Sequence, residues 1–306
     1  MQSVFEFLVK HAVWIGRIAA LIAIVLAAIF FSPSSTSSLH AVWCAVVSCD
    51  TDQRSVSQLV ADAEREKNSG NVTKARITFQ RALYLYRKNK DSDGEAVMLQ
   101  RLGNIERIAG NNSRARTSLG EALSLFKENQ NRLGEANVLL RLGHLERHLG
   151  NNSEARGNYG KALIHYRLID DRLGKAGVLR GLGDLEQKLG RYIEAHQAYV
   201  EARALFQSLD NRLGEANVVL GLGDIERKLG HSINARDLYG EAHRLYQAVN
   251  AKLGEANVLM GLGHLERTMG NIHNSVKFYN EAATIFERVG LNDWRDEATR
   301  LALDIK

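Results

Sequence analysis

Proline is all but missing: the 306-residue chain has one, Pro33. Its absence downstream removes the strongest internal helix breaker and suits long helices punctuated by Gly and Asn. Cysteine is scarce too. Cys44 and Cys49 are the two in the chain, five residues apart. A close pair points to an oxidising compartment, as a candidate disulfide or as two buried thiols. No CxxCH and no second cysteine pair accompanies them, so haem attachment and a cysteine metal site lack support. Runs of Lys or Arg are absent. The net charge is +5, but both signs are interspersed. That describes a solvated mixed surface, not a track for a phosphate backbone, and nucleic acid is not an expected partner. GxSxG, a phosphate loop and GxGxxG are also lacking, and the LGxL segments fall inside helices. His144 and His148 stand at i, i+4, but HLERH is not HExxH and spacing places no third ligand. No metal, no cofactor and no enzyme activity are expected. Catalysis needs a singular cluster of titratable groups, which a repetitive surface does not offer.

What is present is a period. Gly70, Gly110, Gly150, Gly190, Gly230 and Gly270 are each 40 residues apart. So are Ala82, Ala122, Ala162, Ala202, Ala242 and Ala282. Aromatics recur at Tyr86, Phe126, Tyr166, Phe206, Tyr246 and Phe286, and again at Phe79, Tyr159, Tyr199, Tyr239 and Tyr279, with Leu119 substituting once. A fixed period in this range marks a solenoid whose units pack only on their neighbours.

The N-terminal region, residues 1–31, stands outside that pattern. Ala12 to Phe31 carries one charge, Arg17. A helix of about 20 residues spans a bilayer core, and Arg17 lies near one end, where it can snorkel. The run reads as a retained transmembrane anchor. The alternative is a cleaved signal peptide, with Ile18 to Phe31 as its apolar region and the following serines as a cleavage site. Lys10 and Arg17 lie on its N-terminal side, and no charge follows until Asp50. The positive-inside rule then places the N-terminus in the cytoplasm and the repeats outside it, in the periplasm of a bacterium. Residues 32–53 form a Ser-rich linker (Ser32 to Ser38) and a short apolar segment, His40 to Cys49, too short to span.

Residues 54–290 hold six repeats. In the clearest copy Val138, Leu142, Leu145 and Leu149 form one apolar helical stripe. Asn131 or Asp171 can cap the start of such a helix, Gly150 ends it, and Asn151 to Ser153 offers a cap for the next. The second helix buries Ala155, Tyr159, Ala162 and Tyr166. Two antiparallel helices make one unit, so the fold class is all-α: an α-solenoid of six helix pairs. Residues 291–306 break the pattern, with Trp294 in place of the repeat glycine, and read as a capping helix.

These residues resemble the tetratricopeptide repeat. Leu142-Gly143, Ala155, Tyr159 and Ala162 stand where that family has its Leu-Gly, small, aromatic and Ala positions. Leu102-Gly103, Leu182-Gly183, Leu222-Gly223 and Leu262-Gly263 repeat the first pair. The period of 40 is longer than the family's usual one. The resemblance implies a right-handed superhelix whose first helices line a concave groove for peptides or partner helices. It also implies four rows of groove positions. The first row is Val97, Asn137, Gly177, Asn217 and Asn257. The second is Gln100, Leu140, Arg180, Leu220 and Met260. The third is Asn104, His144, Asp184, Asp224 and His264, and the fourth Arg107, Arg147, Gln187, Arg227 and Arg267.

Spacings of 3, 4 and 3 put Asn137, Leu140, His144 and Arg147 on one helix face. Asn can bond a peptide backbone in both directions, and Arg can fork onto carboxylates. The face suits a segment with some acidic character, and its informative positions are those where the copies differ. Glu106, Glu146, Glu186, Glu226 and Glu266 recur in every unit and read as structural, tied between repeats to the cations at 132, 172, 212 and 252. The expected function is a membrane-anchored, non-enzymatic scaffold, either a subunit or an assembly factor of a membrane complex. Its solenoid would bind a partner protein. A regulator that binds a peptide or small signal is the alternative, and a homo-oligomer is left open.

Overall fold

The computed structural model describes residues 55–304. Residues 1–54 lie outside the described residues, and with them the expected anchor, the linker and Cys44 and Cys49. The described chain is all α, with thirteen helices and two compact units, the first ending at Leu125 and the second starting at Phe126. The first unit holds α1 (Val56–Asn68), α2 (Val72–Lys88), α3 (Ser92–Ile108) and most of α4 (Asn112–Glu128). The second begins in the last turn of α4. It continues through α5 (Arg132–Leu149), α6 (Asn152–Leu168), α7 (Arg172–Lys188), α8 (Tyr192–Ser208) and α9 (Arg212–Lys228). It ends with α10 (Ser232–Ala248), α11 (Lys252–Thr268), α12 (Ile272–Arg288) and α13 (Asn292–Leu303).

Short turns separate the helices, and each turn uses one left-handed residue. After the first helix of a pair that residue is the periodic glycine, as at Gly150 with φ of 83°. After the second helix it is usually not glycine: Gln130, Asp170, Asp210 and Asn250 hold φ of 54°, 53°, 49° and 53°. Asx caps then start α3, α5, α7 and α9. The side chains of Asp91, Asn131, Asp171 and Asn211 each accept from the backbone N–H three residues on, at 2.8 Å. The even-numbered helices are less regular: Asn71 accepts from the Lys74 N–H at the start of α2. Asn151 makes no cap bond. Its side chain instead donates to Glu146 Oε2 at 2.7 Å, so the turn closes on the carboxylate.

The core is built from rings pressed onto glycines. A Cβ at Gly143 would lie 2.5 Å from the ring of Tyr159, and one at Gly183 or Gly263 would meet Tyr199 or Tyr279 as closely. The next pair repeats the device, because a Cβ at Gly174 would lie 2.2 Å from Tyr166. Tyr159 also meets Gly181 of α7, at 2.9 Å from that glycine's Cβ position. Each ring therefore joins its own pair to the following one. Ala155, Tyr159, Ala162 and Tyr166 are all buried, as the spacing predicts. The expected stripe on α5 is displaced: Val138 and Leu145 are buried, but Leu142 is half-exposed and Leu149 exposed. Ala136, Leu139, Gly143 and Glu146 complete the buried face instead. The two facing rings select it, since they demand the glycine inside.

The repeated glutamates are structural, but their partners are not the cations at 132, 172, 212 and 252. Arg156 of α6 donates to Glu186 of α7 at 2.6 Å, and Arg236 of α10 to Glu266 of α11 at 2.6 Å. In the first unit Arg76 lies 3.9 Å from Glu106. The tie thus runs from the second helix of one pair to the first helix of the next. Burial pushes the Glu266 carboxyl up, but bonds from Asn271 and Arg236 outweigh it and hold the group below its ordinary value. Arg172 and Arg212 turn outward, to Ser208 and Asp210. At the C-terminus Trp294 stands where the glycine column would continue, and its ring lies 6.0 Å from that of Phe286. Ala298, Leu301 and Ala302 of α13 are buried.

The expected localisation needs correction. Among the described residues no helix is long and apolar enough to cross a membrane. Among the described residues, the reading of a single-pass protein with extracytoplasmic repeats therefore has no spanning helix to rest on. The stretch that prompted it, Ala12 to Phe31, lies outside the described residues.

Two stability measurements follow. Ala251 occupies the cap position held by Asn or Asp in its sister helices and makes no cap bond. Ala251→Asp is expected to add about 1 kcal/mol, read as a raised urea midpoint. Gly143→Ala drives a methyl into Tyr159 and costs about 1–3 kcal/mol. Gly157→Ala, with nothing within 4 Å, gains roughly 0.5–1 kcal/mol from helix propensity alone. Shifts of the two glycine variants in the same direction would dismiss the ring contact as the reason for Gly143.

Candidate partner-binding surface

In the second unit the odd-numbered helices α5, α7, α9 and α11 pack successively on one another and form a common layer. Apart from their first members, the predicted groove rows lie on these helices, and nearly all their residues are partly exposed. Asn104 and Arg107 belong to α3 of the first unit, where Arg107 Nη2 donates to Asn104 Oδ1 at 3.3 Å.

The third row is committed to buried tyrosines. The hydroxyl of Tyr159 lies 2.8 Å from His144 Nδ1, and that of Tyr279 lies 2.7 Å from His264 Nδ1. Tyr199 donates to Asp184 Oδ1 at 2.8 Å, and Tyr239 to Asp224 Oδ1 at 2.7 Å. Each of these four hydroxyls thus meets a polar group fifteen residues earlier in the chain. An unsatisfied one would cost about 1–3 kcal/mol. The fourth row supports the third. Arg227 Nε donates to the Tyr239 hydroxyl at 3.1 Å, Gln187 Oε1 lies 2.8 Å from the Tyr199 hydroxyl, and Arg147 lies 3.5 Å from Asp184. Arg267 is exposed.

The first row follows the same logic. Tyr166 donates to Asn137 Oδ1 at 2.8 Å and Tyr246 to Asn217 Oδ1 at 3.0 Å. Where the ring is Phe206, with no hydroxyl, the row holds Gly177. Asn257 breaks the rule, since its counterpart is Phe286. Sequence reasoning missed both links. The signal was available as paired variation at separations of 15 and 29 residues.

Burial acts on these groups as expected. It pushes Tyr159, Tyr166 and Tyr246 up to about 12, so they remain donors. It raises the Asp224 carboxyl despite bonds from Tyr239 and Arg227. His264 is driven down to about 4, first by burial and then by the charges of Arg227, Arg267 and Lys228. Its neutral ring can accept the Tyr279 hydroxyl at Nδ1. Among the described residues no group of three His, Cys, Asp or Glu side chains could hold a metal ion.

The second row remains. Leu140, Arg180, Leu220 and Met260 are half-exposed. Leu220 and Met260 rest partly on the core clusters beneath them. No hydroxyl link specifies their identity, and they form an apolar strip interrupted by one cation.

His264 provides a pH test. Above pH 6.5, the ordinary value, the ring is neutral folded or unfolded. As pH falls from 6.5 towards 4, the unfolded chain takes up a proton that the folded chain resists, so stability declines. His264→Gln is expected to flatten this limb in urea midpoints measured across the window. An unchanged limb, or a ring that titrates near 6.5 by NMR, would refute the buried neutral histidine.

A family model described as a tetratricopeptide repeat matches residues 134–208, 176–248 and 214–288. Together these ranges cover about half of the chain. A search of curated proteins returns no match. Solved structures share the fold. One is a Rap protein complexed with competence and sporulation factor: identity is 12%, coverage 97% of this chain and 86% of that one, TM-score 0.64. The Rap conjugation gene regulator of plasmid pLS20, in complex with a Phr peptide, is 13% identical over 98% of this chain and 92% of its own, TM-score 0.61. Aspartyl phosphate phosphatase F from Bacillus subtilis is 12% identical over 88% and 74%, TM-score 0.64. At such identities the likeness is one of fold.

Proposed function

The chain belongs to the tetratricopeptide-repeat family, and on that premise we propose that it is a non-enzymatic binding protein. The face formed by α5, α7, α9 and α11 receives a segment of a partner protein. The observation that carries this reading is the second row. Leu140, Arg180, Leu220 and Met260 vary with no tyrosine hydroxyl to dictate them, and they remain half-exposed between rows tied to tyrosines, with Leu220 and Met260 resting partly on the core. An apolar strip with one cation offers contact area to a side-chain-bearing segment, while the tied rows keep its floor rigid and limit the ordering cost of binding. The lack of catalysis is part of the proposal. The histidines and carboxylates of this face recur from copy to copy and hold the scaffold together. A free short peptide as the occupant is the second reading. It is favoured by two of the similar folds, whose structures hold a peptide or a factor.

The test is affinity capture with the full chain against its Leu140→Glu/Leu220→Glu variant, after circular dichroism has shown equal helicity. A captured partner should fall at least about tenfold in the variant, a loss of ~1.4 kcal/mol. Capture at unchanged strength would move the binding site off this face. Native mass spectrometry of the purified protein separates the two readings, since a peptide ligand travels as a small mass and a partner protein does not.

A further inference from the structure

Resting on the reading that this face holds a peptide segment, we propose a second contact for that segment. A cavity at the ends of α5, α7 and α9 binds an acidic side chain flanked by an apolar one. The cavity has a volume of about 740 Å³ and lies wholly in the second unit, lined by Arg147, Lys188, Lys228, Asp184, Leu189 and Tyr192, among others. Three cations face one carboxylate there. That carboxylate is already engaged, accepting from Tyr199 at 2.8 Å and lying 3.5 Å from Arg147. The site therefore has positive charge to spare for a carboxylate, which lysine and arginine can hold by charge-assisted bonds.

A structural reason for the cations exists. Lys188 Nζ donates to the Arg147 carbonyl at 3.0 Å, and cations suit helix C-termini. That reason applies to every pair, and Arg147 and Arg267 serve it in α5 and α11, but a lysine at this position is confined to two adjacent pairs. The position of Lys188 and Lys228 is Ile108, His148 and Thr268 elsewhere. Five residues on, Ser113, Ser153 and His273 correspond to Ile193 and Ile233, which are 75% and 76% exposed. Tyr192 likewise replaces Asn112 and Asn152. In an array, what the scaffold needs recurs in each unit. Here two lysines and two solvated isoleucines break the repeat together in the same two adjacent pairs, and a tyrosine lines the cavity at a variable position. Leu189 and Tyr192 in the lining, beside spare positive charge, match a ligand that presents Asp or Glu next to Leu, Ile or Val.

The experiment selects a phage-displayed library of random peptides on the full chain. The recovered peptides are then measured against the wild type, Lys188→Glu/Lys228→Glu and Leu140→Glu/Leu220→Glu. Recovered peptides are expected to share an acidic residue beside an apolar one. Binding should weaken about tenfold in the lysine variant, and equally when the peptide's acid is replaced by its amide. Unchanged affinity for the lysine variant, with loss in the leucine variant, would overturn the cavity and leave the groove reading standing. Recovery of no peptide, or affinity unmoved by either variant, would overturn both. If Lys188→Glu proves unfolded by circular dichroism, Lys228→Glu combined with Ile193→Ser takes its place. That variant keeps the Lys188 bond, so its retention of full affinity would equally overturn the cavity.

Discussion

An aromatic ring laid flat against a glycine is the contact on which the rest of this structure depends. Tyr159 illustrates it. The ring sits where Cβ atoms of Gly143 and Gly181 would be, at 2.5 and 2.9 Å. Only glycine on α5 and α7 allows two helices to close on one ring, and a closed ring both fills the pair and seals it to its neighbour. The helix pays a propensity cost of up to about 1 kcal/mol for each such glycine, which burial of the ring outweighs at ~1.5–3 kcal/mol. The C-terminal end shows the converse. With no further pair to add, Trp294 replaces the glycine and lies over Phe286.

Burying a tyrosine brings its hydroxyl into the core, and this second constraint shapes the exposed face of the odd helices. His144, Asp184, Asp224 and His264 look like variation, yet each serves the hydroxyl of Tyr159, Tyr199, Tyr239 or Tyr279. Histidine and aspartate are interchangeable for this purpose because both can accept one hydrogen bond. Asn137 and Asn217 exist for Tyr166 and Tyr246, and Gly177 stands opposite a phenylalanine that needs nothing. Difference between copies is therefore an unreliable mark of ligand specificity until the packing partners have been accounted for.

That distinction also separates what the sequence made legible from what it did not. The helices, the buried Ala155 and Tyr159 column, the left-handed Gly150 and the caps at Asn131 and Asp171 follow from local chemistry and a period. Contacts between helices were less legible. The period gives Glu186 the right kind of tie but the wrong cation, because Arg156 reaches it from 30 residues away across a pair boundary. Asn151 was read as a cap, yet a buried carboxylate competes for its side chain and wins. The apolar stripe was centred on Leu142 and Leu149, since hydrophobicity alone cannot reveal that Gly143 must point inward. Each miss involves a through-space partner that the helical period does not encode.

Two features of the second unit stand outside the tyrosine and glutamate ties: the second row of the odd helices, and the cluster of Lys188, Tyr192, Ile193, Lys228 and Ile233. The two differ in kind. The row is a variable position present in every unit, so it can grade affinity along the face. The cluster is confined to two adjacent pairs, so it can fix the register of a bound segment. A repetitive surface has no register of its own, because sliding by one unit restores nearly the same contacts. Recognition of one segment in one position therefore requires a break in the repeat, and the cavity at the ends of α5, α7 and α9 lies where two adjacent pairs depart from it.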